Sequence, residues 1–172
     1  MCKKLITWLA GKFGILKEYE DRINQLENDI QVLENQNNNS YDEAESFGTI
    51  TYNDVYNELL KHTYNVHISD GVFNVTSMVE GKRFAEETRV DITSYIAEGH
   101  DCDNFSFALM GYWSLGLISF PFGIAWSSTH AFNFMIDDAG QLWVIEPQTN
   151  QWFKIEDVKN NPMYYPWRMA LC

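Results

Sequence analysis

A cysteine, a histidine and a glutamate stand where thiol chemistry would need them: Cys102 in His100-Asp101-Cys102-Asp103-Asn104-Phe105, His130 in Thr129-His130-Ala131-Phe132, and Glu146 in Ile145-Glu146-Pro147-Gln148. A cysteine attacks as its thiolate, so it needs a base within reach and a third group to orient that base. Cys102 opens an apolar helical pattern, and a helix N-terminus favours an anion. Asp101 and Asp103 oppose this, because neighbouring carboxylates disfavour another negative charge. A histidine partner is therefore required. Read singly, each residue also has a plainer role: a small apolar side chain, a core histidine bonded to backbone, a solvated carboxylate at a strand end.

The elements that must position these residues are legible in outline. Phe105, Ala108, Leu109, Tyr112 and Trp113 recur at three- and four-residue steps, which predicts a buried helix from Asp101 or Cys102 to Leu115. His130, Phe132, Phe134 and Ile136 share one face of a strand over 131–136. Leu142, Val144 and Glu146 share one face of the next, over 142–146. A three-residue loop with Gly140 as the bulge residue would set Gln148 opposite His130. A register two residues shorter would set Glu146 there, and either keeps both on the face of His130. Shorter strands are expected at 124–126, 151–154 and 167–171. Upstream, Thr51 or Asn53 caps a helix through about His62, a hairpin turns at Asp70-Gly71, and a short helix falls within 90–98.

Three segments are expected. Residues 1–36 form an N-terminal amphipathic helix, 37–46 a polar linker, and 47–172 the α+β domain. Leu16, Tyr19, Ile23, Leu26, Ile30 and Leu33 are spaced 3-4-3-4-3, a heptad seam that predicts self-association through residues 16–33 as a dimer or trimer. The same stripe would also serve a helix packed on its own domain. Lys3, Lys4 and Lys12 make residues 1–15 basic, but the chain as a whole carries a net charge of -12. Residues 41–172 hold 7 basic and 18 acidic side chains. Such a body repels phosphate backbones and anionic membranes, which excludes nucleic acid and disfavours membrane as partners. Three dispersed cysteines fit neither a disulfide framework nor a zinc motif, and no cofactor or metal is called for. No signal peptide or membrane span is seen. The expectation is a soluble chain with reduced thiols, for which the cytoplasm is the fitting compartment.

Cys-Asp-Asn-Phe-Ser-Phe-Ala opening a helix, Thr-His-Ala-Phe-Asn on a strand and Leu-Trp-Val-Ile-Glu-Pro-Gln on the next resemble the transglutaminase-like branch of the papain-like cysteine hydrolases, over residues 95–150. The resemblance implies a Cys-bearing helix packed on an antiparallel sheet, with Cys102 as nucleophile, His130 as base and Glu146 as orienter. Asn104 departs from the family, which often has Asp there. Gln148, His100 and Asn104 are the candidates for oxyanion or orienting roles. Trp126, Trp143, Trp152, Tyr164, Tyr165 and Trp167 are candidates for a surface on which sugars or extended peptides stack, the first three foremost, core packing being their other use. Two functions of different class follow. One is a cysteine-dependent peptidase, amidase or acyl transferase oligomerised by its N-terminal helix. The other is a non-catalytic module that binds a glycan or peptide on the same scaffold.

Overall fold

The computed structural model describes residues 17, 22, 23, 25, 26, 44–97, 99–115 and 119–172. The chain divides into two units, Met1–Ser40 and Tyr41–Cys172. In the first unit the described residues are helical and exposed, Ile23 and Leu26 of the expected seam among them. The rest of the seam and the basic segment 1–15 lie outside the described residues. Nothing described supports a coiled-coil helix, and that expectation is withdrawn.

The second unit is built on a six-stranded sheet in the order β2-β8-β4-β5-β6-β7, beside a two-stranded pair β1-β3. The strands are β1 (Gly48–Thr51), β2 (Val66–His67), β3 (Val72–Val75), β4 (Phe122–Trp126), β5 (Ala131–Ile136), β6 (Leu142–Glu146), β7 (Gln151–Lys154) and β8 (Met169–Leu171). β2 runs parallel to β8 and every other pairing is antiparallel, so the sheet is mixed rather than purely antiparallel. The helices are α1 (Tyr52–Leu60), α2 (Met78–Thr88), α3 (Cys102–Leu115) and α4 (Ile155–Val158). α1 starts on a full capping box: Thr51 accepts from the Asp54 amide and Asp54 accepts from the Thr51 amide.

The period-2 rule sorts the sheet's two faces. Phe132, Phe134, Ile136, Leu142 and Val144 join Val55, Leu59, Tyr164 and Trp167 in one core. Met135 and Ile145 join Phe84, Phe105, Leu109 and Trp113, from α2 and α3, in the other. α3 buries Phe105, Leu109 and Trp113 at four-residue steps, as its spacing predicts. The stripe sits against β4 and β5, and the Trp113 and Phe122 rings stack at 4.5 Å. Losing one such aromatic from a packed core costs ~3–5 kcal/mol.

Two local expectations are corrected. Asp70-Gly71 does not turn a hairpin: β2 pairs with β8 and β3 with β1, because each flanking segment finds a better partner far away in sequence. The helix expected within 90–98 is a single 3-10 turn, Val90–Ile92. The true helix, α2, lies just upstream. Its start is written in Ser77, which accepts from the Glu80 amide. Gly81, normally a poor helix residue, packs closely there: a Cβ would meet Met135 Sδ at 2.8 Å, so the thioether would have to shift.

Candidate functional site

The turn between β4 and β5 delivers His130. Ser127 Oγ accepts from the His130 amide at 3.1 Å, and the Ser127 amide donates to the His130 carbonyl at 2.9 Å. These bonds close a tight turn and fix the ring's starting point. At the far end of the hairpin, Gly140 takes φ +75°, a left-handed conformation that glycine reaches without steric cost. The register pairs Asn133 with Ile145 and Ile136 with Leu142. By the same register Glu146 comes level with Phe132, one diagonal from His130 on the same face, before residues 147–150 turn into β7.

That diagonal is bridged. His130 Nε2 lies 2.6 Å from Glu146 Oε2, with both side chains buried. A carboxylate only accepts, so the ring proton on this side is assigned to Nε2, and Nδ1 is the nitrogen left for another partner. Tyr164 Oη donates to the same carboxylate oxygen at 2.9 Å, and the Gln148 amide donates to Oε1 at 3.2 Å. Three donors thus converge on one buried carboxylate, which would cost several kcal/mol if left unpaired. Burial first, then the Glu146 charge and its hydrogen bond, push the Tyr164 hydroxyl well above the ordinary tyrosine range. Tyr164 is therefore a fixed donor. The Tyr164 ring stands edge-on to His130 at 5.7 Å and to Phe132 at 5.4 Å, so the imidazole is walled by aromatics.

Cys102 is the first residue of α3, half-buried, and its carbonyl accepts from Ser106 Oγ at 2.8 Å. Three contacts fix how α3 lies on the sheet. Trp113 stacks on Phe122, which pairs with Met135. Asn133 Nδ2 donates to the Ser106 carbonyl at 3.0 Å. Phe107 meets Trp126, which pairs with Ala131. α3 therefore runs in the direction of β5, and its N-terminus lies toward the His130 end of the strand. Among the described residues no hydrogen bond joins the Cys102 thiol to His130.

The other sequence candidates separate. His100 belongs to the 93–100 loop: its Nε2 lies 3.2 Å from Thr93 Oγ1, its ring is 4.6 Å from Phe105, and its backbone bridges Ile96. Asn104 Oδ1 accepts from the Asp101 amide at 3.2 Å, a local bond at the start of α3. Gln148 reaches the site only through its main chain. Trp126 ends β4, half-buried beside Phe107, which is 51% exposed. Trp143 Nε1 donates to Asp137 and Trp152 Nε1 to Asn150, so each indole is tied to its own hairpin. No group of three metal-ligating side chains exists among the described residues. Ser127, and the role of Tyr164 as a donor to Glu146 rather than a stacking surface, are what sequence reasoning missed. Tyr164 is 18 residues from Glu146 in sequence, and no local pattern announces it.

No family model matches the chain, and no curated protein matches it. Solved structures do. The PSL1a-E64 complex matches with a TM-score of 0.62 and 19% identity, over 72% of this chain and 51% of that one. The crystal structure of Polyporus squamosus lectin bound to the human-type influenza-binding epitope Neu5Aca2-6Galb1-4GlcNAc matches with a TM-score of 0.59 and 19% identity, over 72% of this chain and 49% of that one. These likenesses correct the family and fold class expected from the motifs. The expected α+β papain-like or transglutaminase-like domain behind a coiled-coil helix gives way, because the fold is shared with Polyporus squamosus lectin. The short Cys, His and Glu motifs fix a local arrangement, which unrelated folds can share. This chain spans about half the length of the solved chains it matches, and shares the fold of that portion.

Proposed function

We propose that residues 41–172 form a glycan-binding module. The observation that carries this reading is the fold shared with Polyporus squamosus lectin, one structure of which holds a sialylated trisaccharide. Composition agrees: 15% of residues are aromatic, and rings with polar edges are what sugar faces stack on. The exposed Phe107 beside Trp126 and the exposed Tyr64 are stacking surfaces of this kind. The chain's net negative charge is compatible with neutral or sparsely charged glycans and excludes polyanions by repulsion. The test is a glycan array probed with the full chain. Saturable, sugar-competable signal on a defined subset of glycans is expected, and a blank array with folded protein would end the reading.

A second reading is favoured by the buried His130–Glu146 bond. In it, Cys102 is a nucleophile, His130 its base through Nδ1, and Glu146 the group that fixes the ring, with Tyr164 holding Glu146. Here the module would also carry out acyl transfer at the Cys102 sulfur. E64, found with one of the matching chains, carries an epoxide and is a suitable probe. The Cys102 thiolate would open the ring, forming a C–S bond while the epoxide oxygen takes a proton from His130. A one-to-one adduct on Cys102 that vanishes in His130→Ala supports this reading. Equal labelling in the two proteins refutes it.

A further inference from the structure

An open groove of about 480 Å³, distinct in its lining from the site residues described above, is lined by Lys61, His62, Tyr64, Asn65, Tyr165 and Arg168, with Leu60, Thr63 and Trp167 completing it. It lies where the chain leaves α1 and where the 165–168 segment enters β8. Three observations give it the character of a binding site. First, the His62 side chain is only 2% exposed, yet neither ring nitrogen has a hydrogen-bond partner; its nearest acidic atom, Glu58 Oε1, is 3.8 Å from Nε2. A buried polar group without a partner is costly, and a ligand hydroxyl in the groove would supply one. Second, Tyr64 is 95% exposed and Tyr165 half-buried, the latter edge-on to His62 at 6.1 Å. These give aromatic faces at the groove with no folding task that requires Tyr64. Third, the charges around His62 are matched within themselves except one. Lys61 pairs with Glu58 and Lys159 with Glu156, while the Arg168 guanidinium has no acidic partner among the described residues. Its planar fork suits a carboxylate, bound by two parallel hydrogen bonds.

We infer that this groove binds an acidic saccharide: the sugar ring stacks on Tyr64 and Tyr165, its carboxylate pairs with Arg168, and a ring hydroxyl bonds the unpartnered His62. The inference rests on the glycan-binding reading and gives it a location and a ligand class.

The experiment titrates the full chain with methyl glucuronoside, methyl glucoside and glutarate, following tryptophan fluorescence and saturation-transfer NMR. The parent, Arg168→Gln and Tyr64→Ala are compared. Both altered side chains are exposed, so each variant folds. The expected result is that the parent binds the glucuronoside at least about tenfold more tightly than the glucoside, the difference one charge-assisted pair makes. Arg168→Gln should erase that preference, and Tyr64→Ala should weaken both sugars. Parent-like binding by both variants would overturn the groove as the site while leaving glycan binding intact. Binding of glutarate as tight as the glucuronoside would overturn the saccharide class. No binding of any saccharide, here and on the array, would overturn both readings together.

Discussion

Tyr164→Phe isolates one hydrogen bond at the centre of the site. The ring stays and its contacts with His130, Phe132 and Phe153 stay, because the volume is almost unchanged. What is lost is the 2.9 Å bond to Glu146, whose carboxylate is 5% exposed and cannot recruit water freely. A hydrogen bond to a charged group contributes about 1.5–3 kcal/mol, and the upper half applies where the acceptor is left short of a donor. For a body of this size that is roughly 5–10 °C in Tm. Thermal unfolding at neutral pH measures it, with Tyr64→Phe as the exposed control expected to change nothing. An alkaline arm adds a sign. The Tyr164 hydroxyl is raised above its ordinary value of 10.0 in the folded protein. The unfolded chain therefore releases this proton first as pH rises, and stability present below pH 10 falls above it. Tyr164→Phe should flatten that alkaline fall. Cys172, whose thiol burial pushes up to about 12, contributes a similar fall from its ordinary 9.0 and remains in the variant. A Tyr164→Phe protein as stable as the parent, with the same alkaline slope, would refute the view that Tyr164 holds Glu146 in place.

Gly123→Ala should destabilise by more than about 3 kcal/mol, since the added Cβ would sit 2.1 Å from the Leu171 carbonyl and 2.6 Å from the Phe134 ring; chemical denaturation reads it. Burial holds His62 below its ordinary 6.5, with Glu58 opposing, so the unfolded chain takes up this proton first and stability falls as pH drops below 6.5. His62→Gln should show a shallower acid-side loss in a pH series of Tm. Of Cys102 and Cys172, Cys102 should alkylate first in native protein, because Cys172 is buried with its thiol held protonated; peptide mapping after brief iodoacetamide exposure decides this.

Much of the site's scaffold could be read from the chain, because its signals are local. The three- and four-residue steps through Phe105, Leu109 and Trp113 give α3, and alternation through Phe132 and Phe134 gives β5. Gly140 marks the turn that fixes the register. What escaped depends on partners distant in sequence. β2 finds β8 about a hundred residues later, which no reading of Asp70-Gly71 could show. α2 runs unbroken through Gly81, a poor helix former whose close neighbour lies across the core at Met135. Tyr164 meets Glu146 only through the folded segment after β7. The family expectation failed for a related reason. Three short motifs specify a helix start and two strand ends, whereas a fold is a property of the longer path of the chain, and over 72% of this chain that path resembles the solved structures it matches.

The most direct measurement is calorimetric titration of the full chain with Neu5Aca2-6Galb1-4GlcNAc, the epitope held by a matching lectin structure. The account predicts saturable binding with one site per second unit, weakened by Arg168→Gln and unaffected by Cys102→Ala. An absence of saturable heat with this and every other saccharide tried, in protein whose unfolding remains cooperative, would contradict it.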